Sequence, residues 1–284
     1  MKILSQEASG TRFRIITPFY NASKWLKTNI TSVKEQTYSN FTVTLVNDVS
    51  TDDSVQIAFE AIAGDERFEI RHTEENGGAL ASTCLGIENL NLKPWNDDVI
   101  IILDGDDWLA NKEVLFKLDE VYSSDPKIIL TYGSYVEYVK GIRWMFSKLW
   151  MFSKRGMFSE QLPENIITNK LFRESKWMTS HIRTFKYKLW SYVRRKDILD
   201  ANGKIYSMAG DMPVMFPMLE MAEDPYRIKY ISDIMYVYNK TNPLNEYKID
   251  NQLQRSIEAE VRAKKKYPSL TAMMSGAANE HFND

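Results

Sequence analysis

Apolar positions along the first half of the chain alternate between two spacings. Residues 13–17, 41–46, 68–71, 99–103 and 128–131 are short apolar runs of strand length. Between them the apolar residues fall at helical intervals over 23–36 (Trp25, Leu26, Ile30, Val33), 51–63, 78–90 and 112–123. Ser50 or Thr51 is the expected N-cap of the second helix, and the third follows an Asn76-Gly77-Gly78 turn. The run Val99-Ile100-Ile101-Ile102-Leu103 holds no polar residue, so it is expected to be central and covered on both faces. Strand and helix in strict alternation imply right-handed crossovers and an α/β doubly wound, mostly parallel sheet with helices on both faces.

The alternation stops near Tyr132. Residues 140–196 are aromatic, basic and poorly periodic. Beyond them the pattern predicts a helix over 211–222, short strands over 227–231 and 234–238, a helix over 244–266 and a loose tail. The evenly spaced Met208, Met212, Met215, Met218 and Met221 read as core packing. The expected organisation is a first unit over 1–135, an acceptor-side half over 136–243, and a C-terminal helix and tail over 244–284.

Composition changes this picture in one place. The 284 residues are 44% hydrophobic, ample for a buried core, and 36 Lys and Arg face 38 Asp and Glu. Yet residues 140–196 hold 14 Lys and Arg against three acids, a net +11 that leaves the remainder at −13. Trp144, Trp150, Phe158, Trp177 and Trp190 are among the aromatics interleaved with that charge. Basic residues among aromatics suit nucleic acid, a lipid-linked phosphate at a membrane surface, or an acidic saccharide. They equally suit a second core whose charge offsets acids elsewhere. The single cysteine, Cys84, excludes an intramolecular disulfide framework and lies in an apolar stretch. No run approaches a membrane span, and residues 1–11 lack the pattern of a signal peptide. A cytoplasmic setting is therefore expected, with attachment to the inner membrane surface compatible.

Candidate chemistry gathers after three of the strands: Thr17-Pro18-Phe19-Tyr20-Asn21, Asn47-Asp48-Val49-Ser50-Thr51-Asp52, and Asp104-Gly105-Asp106-Asp107. In an open parallel sheet the carboxyl ends of the strands share one edge, where ligands bind. Turns and caps need the same residue types, and for Ser50, Thr51 and Asp52 that explanation suffices. Three carboxylates crowded at the end of a buried strand repel one another unless a cation or donor cluster offsets them. Hard oxygen ligands of this kind suit Mg²⁺ or Mn²⁺ together with substrate phosphates.

Pro18-x-Tyr20-Asn21, Val46-Asn47-Asp48-x-Ser50-Thr51-Asp52, Asn76-x-Gly78 and Leu103-Asp104-Gly105-Asp106-Asp107, in this order, resemble the donor-binding half of a GT-A fold, family 2 glycosyltransferase. The resemblance covers residues 11–135 well and the second half more loosely, through Gly210-Asp211 opening a helix. It implies an inverting, metal-dependent transferase that moves one sugar from a nucleotide-diphosphate sugar, UDP being the commonest donor nucleotide. Thr17, Pro18, Tyr20 and Asp48 would line the nucleoside pocket with Asn76 and Gly78, and Asp104 would touch the ribose. Asp106 would hold the Mn²⁺ or Mg²⁺ that bridges the diphosphate, Asp107 would assist at metal or sugar, and Asp211 would be the general base. His181, Arg183 and Lys186 are candidates to contact the diphosphate or the acceptor. Asp211 precedes Met212-Pro213, so it also reads as an N-cap.

Two departures bear on the donor: Asn47-Asp48-Val49-Ser50 stands where the family commonly has Asp-Asp-Gly-Ser, and Thr83-Cys84 where it often has Arg-Asn. The Gln-x-x-Arg-Trp signature of processive synthases is absent, which implies single additions. A glycan or lipid-linked acceptor is expected first, with phage-type glycosylation of a hydroxymethylated DNA pyrimidine as the alternative. A non-catalytic nucleotide-sugar-binding scaffold is the reading from another class. A nucleotidyltransferase is disfavoured, because the turn at 17–21 has no glycine.

Overall fold

The computed structural model describes residues 10–93, 95–139 and 159–276. Its strands are β1 (Phe13–Phe19), β2 (Phe41–Asn47), β3 (Phe68–His72), β4 (Val99–Ile102), β5 (Trp108–Leu109), β6 (Leu130–Tyr138), β7 (Ser180–Lys186) and β8 (Ile228–Asn239). They form one sheet in the order β3-β2-β1-β4-β7-β6-β8-β5. The β3-β2-β1-β4 side is parallel throughout, as the alternation predicts. β7 is antiparallel to both β4 and β6, β6 and β8 run parallel, and β5 closes antiparallel on β8.

The two faces hold separate cores. Ile15 and Ile101 point to the face covered by α1 (Leu26–Lys34), α2 (Ser54–Ile62) and α4 (Val114–Ser124). Ile16 and Ile100, one residue along each strand, point to the other face, as the two-residue period of a strand requires. There α3 (Gly78–Glu88), α5 (Glu164–Thr168), α6 (Tyr187–Trp190), α7 (Met212–Ala222) and α9 (Asn251–Ala263) pack. Cys84 is buried in α3, and burial pushes its thiol up to about 12. All five methionines of the 208–221 series are buried in this second core.

Several expectations are corrected. Neither Ser50 nor Thr51 caps α2; the Asp52 carboxylate accepts the Ser54 N–H at 3.0 Å. The stretch 180–186, not predicted as a strand, is β7. The two strands expected over 227–238 are one, whose register against β6 shifts on either side of Ser134. The helix expected over 244–266 is broken into α8 (Glu246–Ile249) and α9, because the Asp250 carboxylate accepts the Leu253 N–H at 2.8 Å and starts a new helix. The tail contains α10 (Leu270–Met274), capped by Ser269.

The basic stretch resolves largely into ion pairs. Eight of the described Lys and Arg between 159 and 196 lie within 4.0 Å of a carboxylate. Arg173 is buried on Glu220 with bonds of 2.5 and 3.0 Å, and a third N–H donates to the Val261 carbonyl. Phe172, Phe185 and Trp190 are core residues, with Trp177 packed edge-on against Phe216. The second core, with its charge offset, is thus the reading the described part supports; Trp144, Phe146, Trp150, Phe152 and Phe158 lie outside the described residues. Among the described residues no helix is long and apolar enough to cross a membrane.

Candidate active site

The three polar clusters do converge. Asp48 N–H donates to the Phe19 carbonyl (2.9 Å), Asn21 N–H to Ser50 Oγ (3.1 Å), and Gly105 N–H to the Pro18 carbonyl (2.9 Å). Gly105 is required: a Cβ there would lie 2.5 Å from Phe19 Cβ. Asn21 and Val49 take positive φ (47° and 58°), which turns the chain sharply after β1 and β2.

Asp48 is buried, and its carboxylate is a post for the next loop. It accepts from Thr73 Oγ1 (3.0 Å), Gly77 N–H (3.0 Å) and Gly78 N–H (2.8 Å), while Asn76 Nδ2 donates to the Asp48 carbonyl (3.0 Å). Gly78 has φ +84° and stands close to Ser207, so the loop also touches the segment leading to Asp211. Asn47, in place of a carboxylate, accepts the Ser50 N–H (3.0 Å) through Oδ1, with its Nδ2 3.2 Å from His72 Nδ1. Thr17 is buried with its hydroxyl unpartnered, and Tyr20 is exposed at the rim. Thr83 and Cys84 are both buried in α3.

The three carboxylates of the 104–107 turn have different surroundings. Asn29 of α1 fixes the turn, its Nδ2 donating to the carbonyls of Asp104 (2.9 Å) and Asp107 (2.8 Å). Asp107 points inward: Tyr236 Oη donates to Oδ2 (2.6 Å) and Asn239 N–H to Oδ1 (2.7 Å), and the residue is 1% exposed. That geometry gives Asp107 a structural place rather than an open contact with metal or sugar. Asp104 and Asp106 are only partly buried. Asn242 Nδ2 donates to Asp106 Oδ2 (2.7 Å) from the turn after β8. Burial, reinforced by Asp106, pushes the Asp104 carboxyl up to about 6 against the opposing pull of Arg183. Burial raises Asp106 as well, and raises Asp107 well above the carboxylate range.

The other wall comes from β7 and α7. Asp211 occupies the N-cap position of α7 but its side chain makes no cap bond. The carboxylate turns instead to Arg183, whose Nη1 donates to Oδ2 at 2.5 Å. Its charge helps to raise the Asp104 carboxyl, so the base candidate lies near the carboxylate turn. Arg183 Nη2 lies 3.3 Å from His181 Nδ1, and the imidazole stacks on Tyr236 (4.4 Å, 15°). Burial, then Arg183, lowers His181 well below its usual range, so the ring is neutral. Lys186 is not brought to this edge. It pairs with Val99 at the opposite end of β4, and its Nζ donates to the Pro126 carbonyl (3.2 Å).

Sequence reasoning missed Asn29, Tyr236, Asn239 and Asn242. The one available signal was the density of asparagines over 239–245, which reads as turn chemistry.

Two partly buried carboxylates with raised proton affinity, and a donor set of oxygens only, fit Mg²⁺ or Mn²⁺. No group of three or more His, Cys, Asp or Glu among the described residues could cage an ion. A cation here would therefore rely on substrate oxygens to complete its coordination.

Comparison with known proteins agrees with this geometry. An uncharacterized glycosyltransferase of Haemophilus influenzae is 33% identical over 121 residues, covering 43% of this chain and 46% of the relative, so this chain corresponds to under half of that protein. The uncharacterized glycosyltransferase EpsJ of Bacillus subtilis is 25% identical over 278 residues, 95% of this chain and 73% of EpsJ. Staphylococcus aureus TarS residues 1–349, solved with UDP-GlcNAc, superposes with a TM-score of 0.61 at 19% identity, covering 95% of this chain and 73% of that one. The mannosyltransferase PcManGT of Pyrobaculum calidifontis, solved with GDP-Man and Mn²⁺, gives 0.52 at 14% identity over 97% and 71%. At these identities the structural likeness establishes a GT-A fold. The sequence model of Glycosyl transferase family 2 matches residues 14–179, more than half of the chain and all of the donor-side turns, and the protein is accordingly a member of that glycosyltransferase family.

Proposed function

We propose that this enzyme transfers one sugar, with inversion, from a nucleoside-diphosphate sugar to a hydroxyl group, with Asp211 as general base. The observation that carries this reading is the Asp211 carboxylate. It sits where a helix cap is expected, forgoes the cap bond for Arg183, and keeps 28% of its side chain exposed near Asp104. UDP is the favoured nucleotide, a sugar nucleotide of which TarS was solved with.

The residues of the first half bind and orient. Pro18, Tyr20 and the loop held by Asp48 (Asn76 to Gly78) frame the nucleoside, and Asp104 faces the ribose. Asp106, its second oxygen held by Asn242, would hold Mn²⁺ or Mg²⁺, which supplies Lewis-acid offset of the charge that builds on the departing diphosphate. The acceptor oxygen forms its bond to the anomeric carbon from the face opposite the leaving group as the bond to the diphosphate oxygen breaks. Asp211 receives the hydroxyl proton. A positioned base contributes about 10²–10⁴-fold. A glycan or lipid-linked saccharide is the favoured acceptor. Pairing of the described basic side chains with carboxylates removes much of the support for a DNA acceptor.

The test is release of nucleoside diphosphate from UDP-GlcNAc, UDP-glucose and GDP-mannose with Mn²⁺ or with EDTA, beside Asp211→Asn. Metal-dependent turnover of one donor, lowered about 10²–10⁴-fold in the variant, is expected. UDP with Mn²⁺ should still raise the melting temperature of the variant. Turnover by the variant at the wild-type rate sinks the assignment of the base. A melting temperature indifferent to every nucleotide with Mn²⁺ sinks the donor site and favours the scaffold reading.

A further inference from the structure

We infer that Arg183 is the positioning residue of Asp211 and does not contact the diphosphate; this rests on the reading of Asp211 as the base. Both terminal nitrogens of the guanidinium are engaged by the protein. Nη1 donates to Asp211 Oδ2 at 2.5 Å and Nη2 faces His181 Nδ1 at 3.3 Å. A guanidinium has no lone pair to offer, so His181 Nδ1 is the acceptor and the imidazole proton sits on Nε2. The ring is held flat on Tyr236, and Tyr236 in turn donates to Asp107. The orientation of the arginine is thereby fixed from its own strand and from β8. Its side chain is 9% exposed, against 28% for Asp211. The open member of the pair is the carboxylate.

This arrangement serves a base better than a leaving group. The single Nη1–Oδ2 bond restricts the carboxylate because the guanidinium plane is itself fixed by Nη2 on His181. With Oδ2 committed to Arg183, Oδ1 is the oxygen that takes the acceptor's proton. Arg183 is the charged group in contact with Asp211; His181 of the same strand backs the guanidinium, and Asp104 of the turn after β4 lies near enough to feel the Asp211 charge. One N–H of each terminal nitrogen is spent on Asp211 or His181, and with 9% of the side chain exposed the donors left over are poorly placed for a diphosphate.

Three variants decide the matter: Arg183→Gln, Arg183→Lys and Asp211→Asn, each checked for folding by circular dichroism. Affinity for UDP with Mn²⁺ is read by calorimetry, and turnover of UDP-GlcNAc by water is read across pH. Arg183→Gln should bind UDP with Mn²⁺ within about twofold of wild type, yet lose about tenfold or more in turnover. The loss should fall on turnover and not on affinity, because the carboxylate has lost the group that orients it. Arg183→Lys should recover part of the rate at unchanged affinity. A loss of about tenfold in UDP affinity makes Arg183 a diphosphate contact and overturns the inference. An inactive Asp211→Asn beside an Arg183→Gln of wild-type turnover overturns the inference alone. A fully active Asp211→Asn removes the base reading itself.

Discussion

The two sides of the sheet present their chemistry differently. From β3 to β4 the strands are parallel, and the candidate residues lie at the carboxyl end of a strand or in the segment that directly follows it. From β7 to β5 the sheet is mixed: His181 and Arg183 sit inside an antiparallel strand, Asp211 at the mouth of a helix, and Asn242 in the turn after β8. The first side is held by backbone and turn hydrogen bonds, the second by buried charge pairs. A site built on consecutive parallel turns can be recognised locally. One assembled across an antiparallel insertion depends on pairings between distant parts of the chain.

That contrast can be broken experimentally. The largest stability effect is expected at Arg173→Ala, which strands Glu220 in the core and should cost about 3–5 kcal/mol in chemical denaturation. A cost under about 1 kcal/mol would show that buried charge does not hold the second side. Gly105→Ala tests the first side: its Cβ would meet Phe19 Cβ at 2.5 Å, and a loss of about 1–3 kcal/mol is expected. An unchanged denaturation midpoint would deny the close approach of the β4 turn to β1.

Asp104 gives a pH test with a defined sign. Its carboxyl is held up at about 6 in the folded protein against an ordinary 3.8, so the folded state binds the proton more tightly. Stability from this group is present at low pH and lost as pH rises through about 4 to 6. In EDTA, the melting temperature of Asp104→Asn minus that of wild type should therefore widen over that window, and Mn²⁺ with UDP should narrow it. A gap flat with pH would refute the burial account. The smallest effect belongs to Glu88→Ala, whose pair with Arg195 is 54% and 56% exposed; a change of about 0–1 kcal/mol is expected. A larger one would mean that this surface pair belongs to the buried network.

These regional differences also explain what could be read in the sequence. The convergence of Thr17, Pro18, Asp48, Gly78, Asp104 and Asp106 was legible because turn chemistry and strand periodicity place them at one edge. Asp211 was legible as a helix start, but whether its side chain makes the cap bond could only be seen in the structure. β7 was not read as a strand because the basic side chains His181, Arg183 and Lys186 interrupt it and leave Ile182 and Phe185 as its apolar residues, which do not alternate. The same charges made Lys186 resemble a site residue, although an odd number of positions along a strand separates it from Arg183 and carries it to the far end. Tyr236, Asn239 and Asn242 were invisible because their value lies in partners more than 100 residues away.

The position of β7 has a consequence for synthesis. It is seventh in sequence yet lies between β4 and β6. A nascent chain that has completed β4 therefore shows the ribosome's surroundings an unpaired, wholly apolar strand edge, Val99–Ile102, until residues 180–186 emerge. Chains cut short before β7 carry that adhesive edge permanently and should aggregate. The half that carries the recognisable turns should therefore not be stable when excised and used alone.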